Sequence, residues 1–329
     1  MSELFPRDAA PGSTKIIADG LIGINAPFWG FPNVVYALFD DDRMTLIDSG
    51  VSETPQTALD AFIHEHGGYD VIDYVLGTHA HLDHIGGNAW IATRSSTARF
   101  AVGAKDVGWA EDPDRHFAQL YANGCPGHWR PDADAEAQIR RGIGPGAAID
   151  IPLHDGDTMK FGARTIRAAS LGSHTPGQML YIDERTGSAF SGDAIQGVGV
   201  LNDAGFRDFP MFGNVRDYRT ALQRIRESGF ERLCTAHAGV FDRRAAEAFI
   251  DDALAFADAL RRELAVLART LGAFTLEEFV AAHLEKHSEY ASALQIRVTL
   301  SEFANDLVAE GMLVPALDGG EKTWVVADR

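Results

Sequence analysis

A chain of 329 residues with 46% hydrophobic and 23% charged side chains is long enough to bury a full core and is ordinary for a globular protein. Its formal net charge of -18 sets the average surface against phosphate backbones, and no run approaches the ~20 apolar residues of a membrane span. Two cysteines without paired spacing, Cys125 and Cys234, argue against a disulfide framework; with a polar N-terminus free of any signal pattern they lead to the expectation of a cytoplasmic protein.

Residues 1 to 13 read as a loose terminus. Strands are expected at Lys15 to Ala18, Val34 to Phe39 and Met44 to Ile47, with Asp40-Asp41-Asp42 as the turn between the last two. The third strand ends at Asp48-Ser49-Gly50. Thr54 to His66 has helical periodicity and stops at Gly67-Gly68. A buried strand, Val71 to Leu76, then leads into Thr78-His79-Ala80-His81-Leu82-Asp83-His84-Ile85-Gly86-Gly87. Three imidazoles and a carboxylate within six residues suit a divalent zinc, manganese or iron ion. The glycine pair is expected to permit the tight path through unusual backbone angles.

Asn88 to Ala92 continues as a helix. Residues 105 to 147 break the alternation of strand and helix and hold Trp109, His116, Phe117, Tyr121, Cys125, His128 and Trp129 among prolines and glycines. Such a segment is expected to cover the site, the alternative being a helical surface insertion packed by its own aromatics. Strands return at Ile149 to Leu153, Thr158 to Phe161, Arg164 to Ala169, Met179 to Asp183 and Ala189 to Asp193. Asn202 to Asn214 is a loop carrying Phe206, Phe209, Met211 and Phe212. Asp217 to Ser228 is an amphipathic helix, and Arg232 to Ala236 a short strand before His237.

Phe241 to Leu271 is one long helical stretch. Thr275-Leu276-Glu277-Glu278 has the form of a capping box. Helices are expected from Ser288 to Ser292 onward and from Thr299 to Glu310. A two-stranded wing then runs from Gly311 to Pro315 and from Lys322 to Val326 around Leu317-Asp318-Gly319-Gly320, giving a winged-helix-like tail.

His79, His81, Asp83, His84, His174, Asp193 and His237 all fall at strand ends or in the turns after them, where sheets of this class gather ligand sites. A single core histidine is usually structural; seven ligand-type residues at strand ends are not explained that way.

The pattern resembles the metallo-β-lactamase-fold hydrolases over roughly residues 14 to 245. It rests on His-x-His-x-Asp-His, the lone His174 before Thr-Pro-Gly, Asp193 after Ser-Gly, and His237 after a short strand. The resemblance implies an αββα sandwich, here with a C-terminal helical, winged-helix-like tail: a catalytic domain over 1–245, a covering insertion at 105–147, and a C-terminal region over 246–329. It implies that His79, His81 and His174 hold one metal, that Asp83, His84 and His237 hold the other, and that Asp193 bridges them. Asp48 would support the ligands from behind. Two divalent ions, zinc first with manganese and iron as alternatives, would generate a metal-bound hydroxide, with Asp83 orienting it and carrying a proton.

Gly192 to Gly197, the helix from Asp217 and the tail resemble the branch of β-lactamase-like endoribonucleases and polyketide-associated thioesterases. The chain departs from that branch at Ala236-His237-Ala238-Gly239, where Gly-His-Gly-Pro is usual, and at Gln178, where most relatives carry histidine. Gln196 and Val198-Gly199-Val200 depart from the quorum-quenching lactonases and from the glyoxalase II relatives. Trp109, Tyr121, Trp129, Phe206, Phe209 and Phe212 are expected to form an apolar pocket for a small-molecule substrate. The expected reaction is hydrolysis of an ester, thioester or lactone with an apolar acyl part. Single-stranded RNA cleavage is the alternative, opposed by the acidic tail residues Glu302, Asp306 and Glu310. A mono-iron oxygenase of the same fold is a further one. No membrane partner is expected, and apolar faces on the long helix and tail raise the expectation of a homodimer.

Overall fold

The computed structural model describes residues 4–122, 125–290, 294–318 and 321–327. Among them, seven strands form one sheet in sequential order: β1 (Thr14–Ala18), β2 (Leu21–Asn25), β3 (Val34–Asp40), β4 (Arg43–Ile47), β5 (Ile72–Leu76), β6 (Arg99–Gly103) and β7 (Ile151–Leu153). The first four pair antiparallel, and β4 through β7 pair parallel. A second sheet contains β8 (Thr158–Phe161), β9 (Arg164–Ser170), β10 (Met179–Asp183) and β11 (Ser188–Gly192). After a short hairpin of β12 (Val200–Leu201) and β13 (Arg207–Asp208), β14 (Arg232–Thr235) and β15 (Val240–Asp242) complete that sheet, β14 parallel to β11.

The layering follows from the two-residue period of a strand, which sends alternate side chains to opposite faces. Along β3, Val34, Tyr36 and Leu38 face the second sheet and meet Phe161, Tyr181 and Phe190. Val35 and Ala37 point the other way, into an apolar layer with Phe62 and Ile63 of helix α1 (Asp60–Glu65). Both faces are buried, so these strands read as continuous apolar runs. Beyond the second sheet, Leu180, Ile182 and Leu233 pack on helices, which completes the αββα sandwich. β2 and β6 were not expected from sequence, although Asp19-Gly20 before β2 and Ser95-Ser96-Thr97 before β6 were the available turn signals.

A buried ion pair ties the sheets together at one edge. Arg164 Nη1 lies 2.6 Å from Asp183 Oδ2, and neither side chain is exposed. The remaining guanidinium donors reach the carbonyls of Phe39 (2.7 Å) and Asp19 (2.8 Å), and Thr186 Oγ1 donates to Asp183. A charge pair out of water needs this full set of partners to offset its desolvation.

Three helices follow the sequential strand–turn segments near the site: α2 (Leu82–Ile85), α3 (Asn88–Ala92) and, within the 105–147 segment, α4 (Val107–Glu111). That segment continues as α5 (Pro113–His116), a π-helical turn over Phe117–Ala122, and α6 (Ala133–Ile143). It is therefore largely helical rather than irregular. Proline and glycine break most of it into pieces too short to show a periodicity, although Asp112 and Asp132 cap two of the helices.

Helix α7 (Val215–Glu227) packs beside α8 (Arg243–Leu271), whose 29 residues are capped by Asp242 at the start and by Gly272 (φ 74°) at the end. The tail adds β16 (Ala273–Thr275), α9 (Leu276–Leu284), α10 (Leu294–Ala309), β17 (Leu313–Asp318) and β18 (Glu321–Val326). Thr275 and Glu278 form the reciprocal capping box at the start of α9. One helix, α10, stands where two were expected; Ser292, and Gly319 and Gly320 at the tip of the expected wing, lie outside the described residues. The hairpin of β17 and β18 is joined by β16, giving three strands. Phe303 and Leu300 of α10 share one apolar core with Phe212, Tyr218 and Leu222, so that core runs across the line drawn at residue 245. No helix among the described residues is long and apolar enough to cross a membrane.

Removing the Arg164 charge strands Asp183 in the core. Arg164→Met is expected to cost about 3–5 kcal/mol of stability, read as a lowered urea midpoint; an unchanged midpoint would contradict the clamp.

Candidate metal centre

Every chemistry-bearing loop leaves the sandwich at the same edge. Asp48 follows β4, residues 78 to 84 follow β5, His174 follows β9, Asp193 follows β11 and His237 follows β14. The topology alone brings these seven residues and Asp48 together, although Asp48 and His237 are 189 positions apart in the chain.

Two groups result, each with donor atoms within 4.8 Å of one another: His79, His81 and His174, and Asp83, His84, Asp193 and His237. In the second, Asp83 Oδ2 is 3.3 Å from Nε2 of both His84 and His237. Asp193 faces both groups. Its Oδ1 lies 3.4 Å from His84 Nε2 and 3.1 Å from His237 Nε2, while its Oδ2 lies 3.6 Å from His174 Nε2. In the first group, His174 Nε2 and His81 Nδ1 face each other at 3.0 Å.

The rings are held from behind by groups that fix their tautomers. The Nδ1–H of His237 donates to the Pro32 carbonyl at 2.6 Å, and that of His174 to the Met211 carbonyl at 3.0 Å. His84 Nδ1–H donates to Asp48 Oδ2 at 2.8 Å. A carbonyl or carboxylate oxygen only accepts, so in the neutral ring each Nε2 carries a lone pair directed at the centre. The buried Nε2 atom of His79 has no hydrogen-bond partner, and His84 Nε2 and Asp193 Oδ1 meet only other ligand-type atoms of the same cluster. Buried polar atoms left unpaired are costly, and several converging on one point fit divalent cations.

Asp48 does more than hold His84. Its Oδ1 accepts from the Thr78 backbone N–H at 2.7 Å and its Oδ2 from Thr78 Oγ1 at 3.0 Å. It adopts φ 65°, a conformation that aspartate tolerates better than most residues. Gly192, next to Asp193, has φ 48°, and a Cβ there would collide with the Thr78 side chain. Gly86 and Gly87 serve a different purpose from the one expected. Gly86 has φ -57° and Gly87 φ -74°, ordinary helical values. Their lack of a Cβ matters because one would strike the Gly142 carbonyl at Gly86 and the Ser49 carbonyl at Gly87.

Two supporting residues escaped the sequence reading. Asp106 is fully buried; it accepts from the Ala80 N–H (3.0 Å), Thr175 Oγ1 (2.6 Å) and the Gly177 N–H (2.7 Å), tying the His79–His84 turn to the His174 turn. Asn33 donates to the Asp83 carbonyl at 2.8 Å. Bonds to backbone have no sequence spacing, so no signal marked either residue. Gln178, a departure from the branch pattern, is buried and donates to the carbonyls of Thr78, Met179 and Ser191.

The electrostatics divide the rings. Burial pushes His79, His81 and His174 below the usual histidine range, so they stay neutral. Burial acts the same way on His84 and His237, but the carboxylates outweigh it. Asp83, Asp48 and Asp193 raise His84 well above its usual value, and Asp193 and Asp83 raise His237 to about 10. Burial alone would raise both Asp83 and Asp193, yet the neighbouring His84 and His237 hold them below the usual carboxylate range.

A cavity of about 290 Å³ opens over the centre. Tyr121 and Trp129 line it, as do Leu120 and Ile139 from the same segment. The other expected pocket aromatics lie elsewhere. Trp109 stacks on His116 at 6.0 Å, behind the wall. Phe206 is 48% exposed, away from the cavity. Phe209 and Phe212 are buried against Tyr290 and Tyr218, because an aromatic beside a site serves a core equally well. The opposite wall is Phe28, Trp29 and Phe31, in the loop between β2 and β3. The density of aromatics in Phe28-Trp29-Gly30-Phe31-Pro32 was the available signal.

Comparison with known proteins agrees with this geometry. The profile of the metallo-beta-lactamase superfamily matches residues 28–237. A probable metallo-hydrolase of Burkholderia pseudomallei (strain 1710b) is 28% identical over 179 residues, 49% of this chain; the match spans 54% of that relative's length. Among solved structures, a metallo-beta-lactamase family protein of Thermus thermophilus superposes with TM-score 0.71 at 20% identity, covering 94% of this chain and 100% of the other. A beta-lactamase domain protein of Burkholderia ambifaria gives 0.67 at 21% identity, covering 97% and 96%.

In the metal-free protein His84 and His237 carry protons at neutral pH that a cation must displace from Nε2. Zinc binding near pH 7 is therefore expected to release about one to two protons, and affinity to rise as pH rises toward 10. Calorimetric titration in buffers of different ionisation enthalpy measures this; heats independent of the buffer would contradict it.

Proposed function

The chain belongs to the metallo-beta-lactamase superfamily, and from that premise we propose that it is a hydrolase dependent on two divalent cations, acting on an ester, thioester or lactone with an apolar acyl part. The observation that carries the reading is Asp193, whose two oxygens face two separate groups of donor atoms. On this proposal His79, His81 and His174 hold one cation, Asp83, His84 and His237 the other, and Asp193 both. Nitrogen and carboxylate donors without a thiolate suit zinc, with manganese or iron also accommodated. When bound, such a pair lowers the pKa of a water and polarises a carbonyl oxygen.

The chain's own residues supply the rest. Asp83, kept ionised by His84 and His237, borders the cavity and is placed to accept a proton from water and return it to the leaving group. Asp48 holds His84 in register from behind. Phe28, Trp29, Phe31, Leu120, Tyr121 and Trp129 give the acyl part an apolar lining and exclude water. No Lys or Arg is among the described lining residues, while Asp83, Asp193 and Asp208 are. Apart from the cations, that lining offers a phosphate backbone no cationic side chain, which favours a neutral acyl compound over RNA.

The same reading gives the 105–147 segment the task of covering the centre. It gives the 246–329 region a share in the pocket through Leu294 and Gln295, the latter bonded to Asp208 at 2.8 Å.

His84→Ala and Asp193→Ala are each expected to reduce hydrolysis of aryl esters, acyl thioesters and lactones by zinc-loaded protein to the uncatalysed rate, with far-UV circular dichroism unchanged. Near-wild-type turnover in either variant would overturn the two-cation assignment.

A further inference from the structure

Away from the centre, another set of metal-ligating atoms converges. Glu263 lies on α8, His283 on α9, and His287 in the turn that follows α9. His283 Nδ1 is 3.2 Å from Glu263 Oε1, and His287 Nε2 is 2.9 and 3.0 Å from the two Glu263 oxygens. We propose that Glu263, His283 and His287 form a separate divalent-cation site, of the zinc type, that fixes the tail against the pocket wall.

Two imidazoles and one carboxylate are a zinc donor set, with a fourth position for water. Donors at about 2.0–2.1 Å from a tetrahedral ion lie about 3.3 Å apart, close to the spacing seen here. His283-Leu284-Glu285-Lys286-His287 has the four-residue spacing that brings two side chains to one side of a helix end. On the other side of the His287 ring, Nδ1 lies 3.5 Å from the exposed Glu289 Oε1. The Glu263 and His287 side chains are 29% and 30% exposed, which leaves an entry path for the ion and its water.

A purely hydrogen-bonded triad accounts for less. It would put the proton of His283 on Nδ1 and leave Nε2 as a bare lone pair. That atom is buried and has no hydrogen-bond partner. With a cation at Nδ1 the proton moves to Nε2, on a ring that stands perpendicular to Phe209 at 5.6 Å.

The consequence reaches the cavity. The Glu289 carbonyl accepts from the Arg207 N–H at 2.9 Å, and the Tyr290 hydroxyl donates to the Val198 carbonyl at 3.1 Å. Val200 and Asp208, in the hairpin so held, line the cavity. A cation at Glu263, His283 and His287 would therefore set one wall of the pocket without touching the reacting atoms.

The test uses the metal-stripped full chain titrated with Co²⁺ and then Zn²⁺, reading bound equivalents by elemental analysis and the cobalt d–d spectrum. His287→Gln, at a partly exposed position, and Glu263→Gln as a second variant are each expected to lose one equivalent and part of the zinc-dependent gain in melting temperature. They should keep the equivalents bound at the centre. The His84→Ala/Asp193→Ala double variant should show the converse, which separates failure of this site from failure of the centre. Wild-type stoichiometry and melting in both folded tail variants would overturn the proposal, whatever the double variant does.

Discussion

The arrangement of the site depends on one carboxylate. Asp193 stands between two groups of imidazoles, with Oδ1 toward His84 and His237 and Oδ2 toward His174. Without a carboxylate there, nothing would link His79, His81 and His174 to Asp83, His84 and His237. Its position is fixed by the backbone: Gly192 turns with φ 48°, at a point where any side chain would meet Thr78. Gln196 donates to Asp193 Oδ2 at 3.0 Å and holds the carboxylate in orientation. That residue is one of the chain's departures from the lactonase pattern, and here it has an evident task.

Behind the donor atoms lies a layer of acceptors that makes the imidazoles directional. Asp48, the Pro32 carbonyl and the Met211 carbonyl each take one ring proton. They reach the site from three different connections, so the geometry of the centre is a property of the whole sandwich. Buried Asp106 does the same for the backbone, joining two of the turns. Distant structure and local chemistry are thus coupled through hydrogen bonds whose loss would leave buried groups unpaired.

Much of this was legible in the sequence because the strand-end residues sit in short local patterns beside strong apolar strands. Their convergence followed once the strands were assigned to sheets sharing an edge. The glycines after His84 were read correctly as necessary but for the wrong reason: close approach to two carbonyls, not unusual φ, excludes a side chain. The pocket was less legible. Phe209 and Phe212 lie near the site in sequence yet fill the core, whereas Phe28, Trp29 and Phe31 lie far away in sequence and form the wall. Residue type alone does not separate core aromatics from lining ones. The helices of the 105–147 segment were read only as the alternative, because all of them but α6 are too short for periodicity to accumulate.

The most direct test of the central claim is anomalous diffraction at the zinc edge from crystals of the zinc-loaded protein. Two peaks about 3.5–4 Å apart are expected, flanking the Asp193 carboxylate, one against His79, His81 and His174 and the other against Asp83, His84 and His237. A single peak at that edge of the sandwich, or two that do not share Asp193, would contradict it.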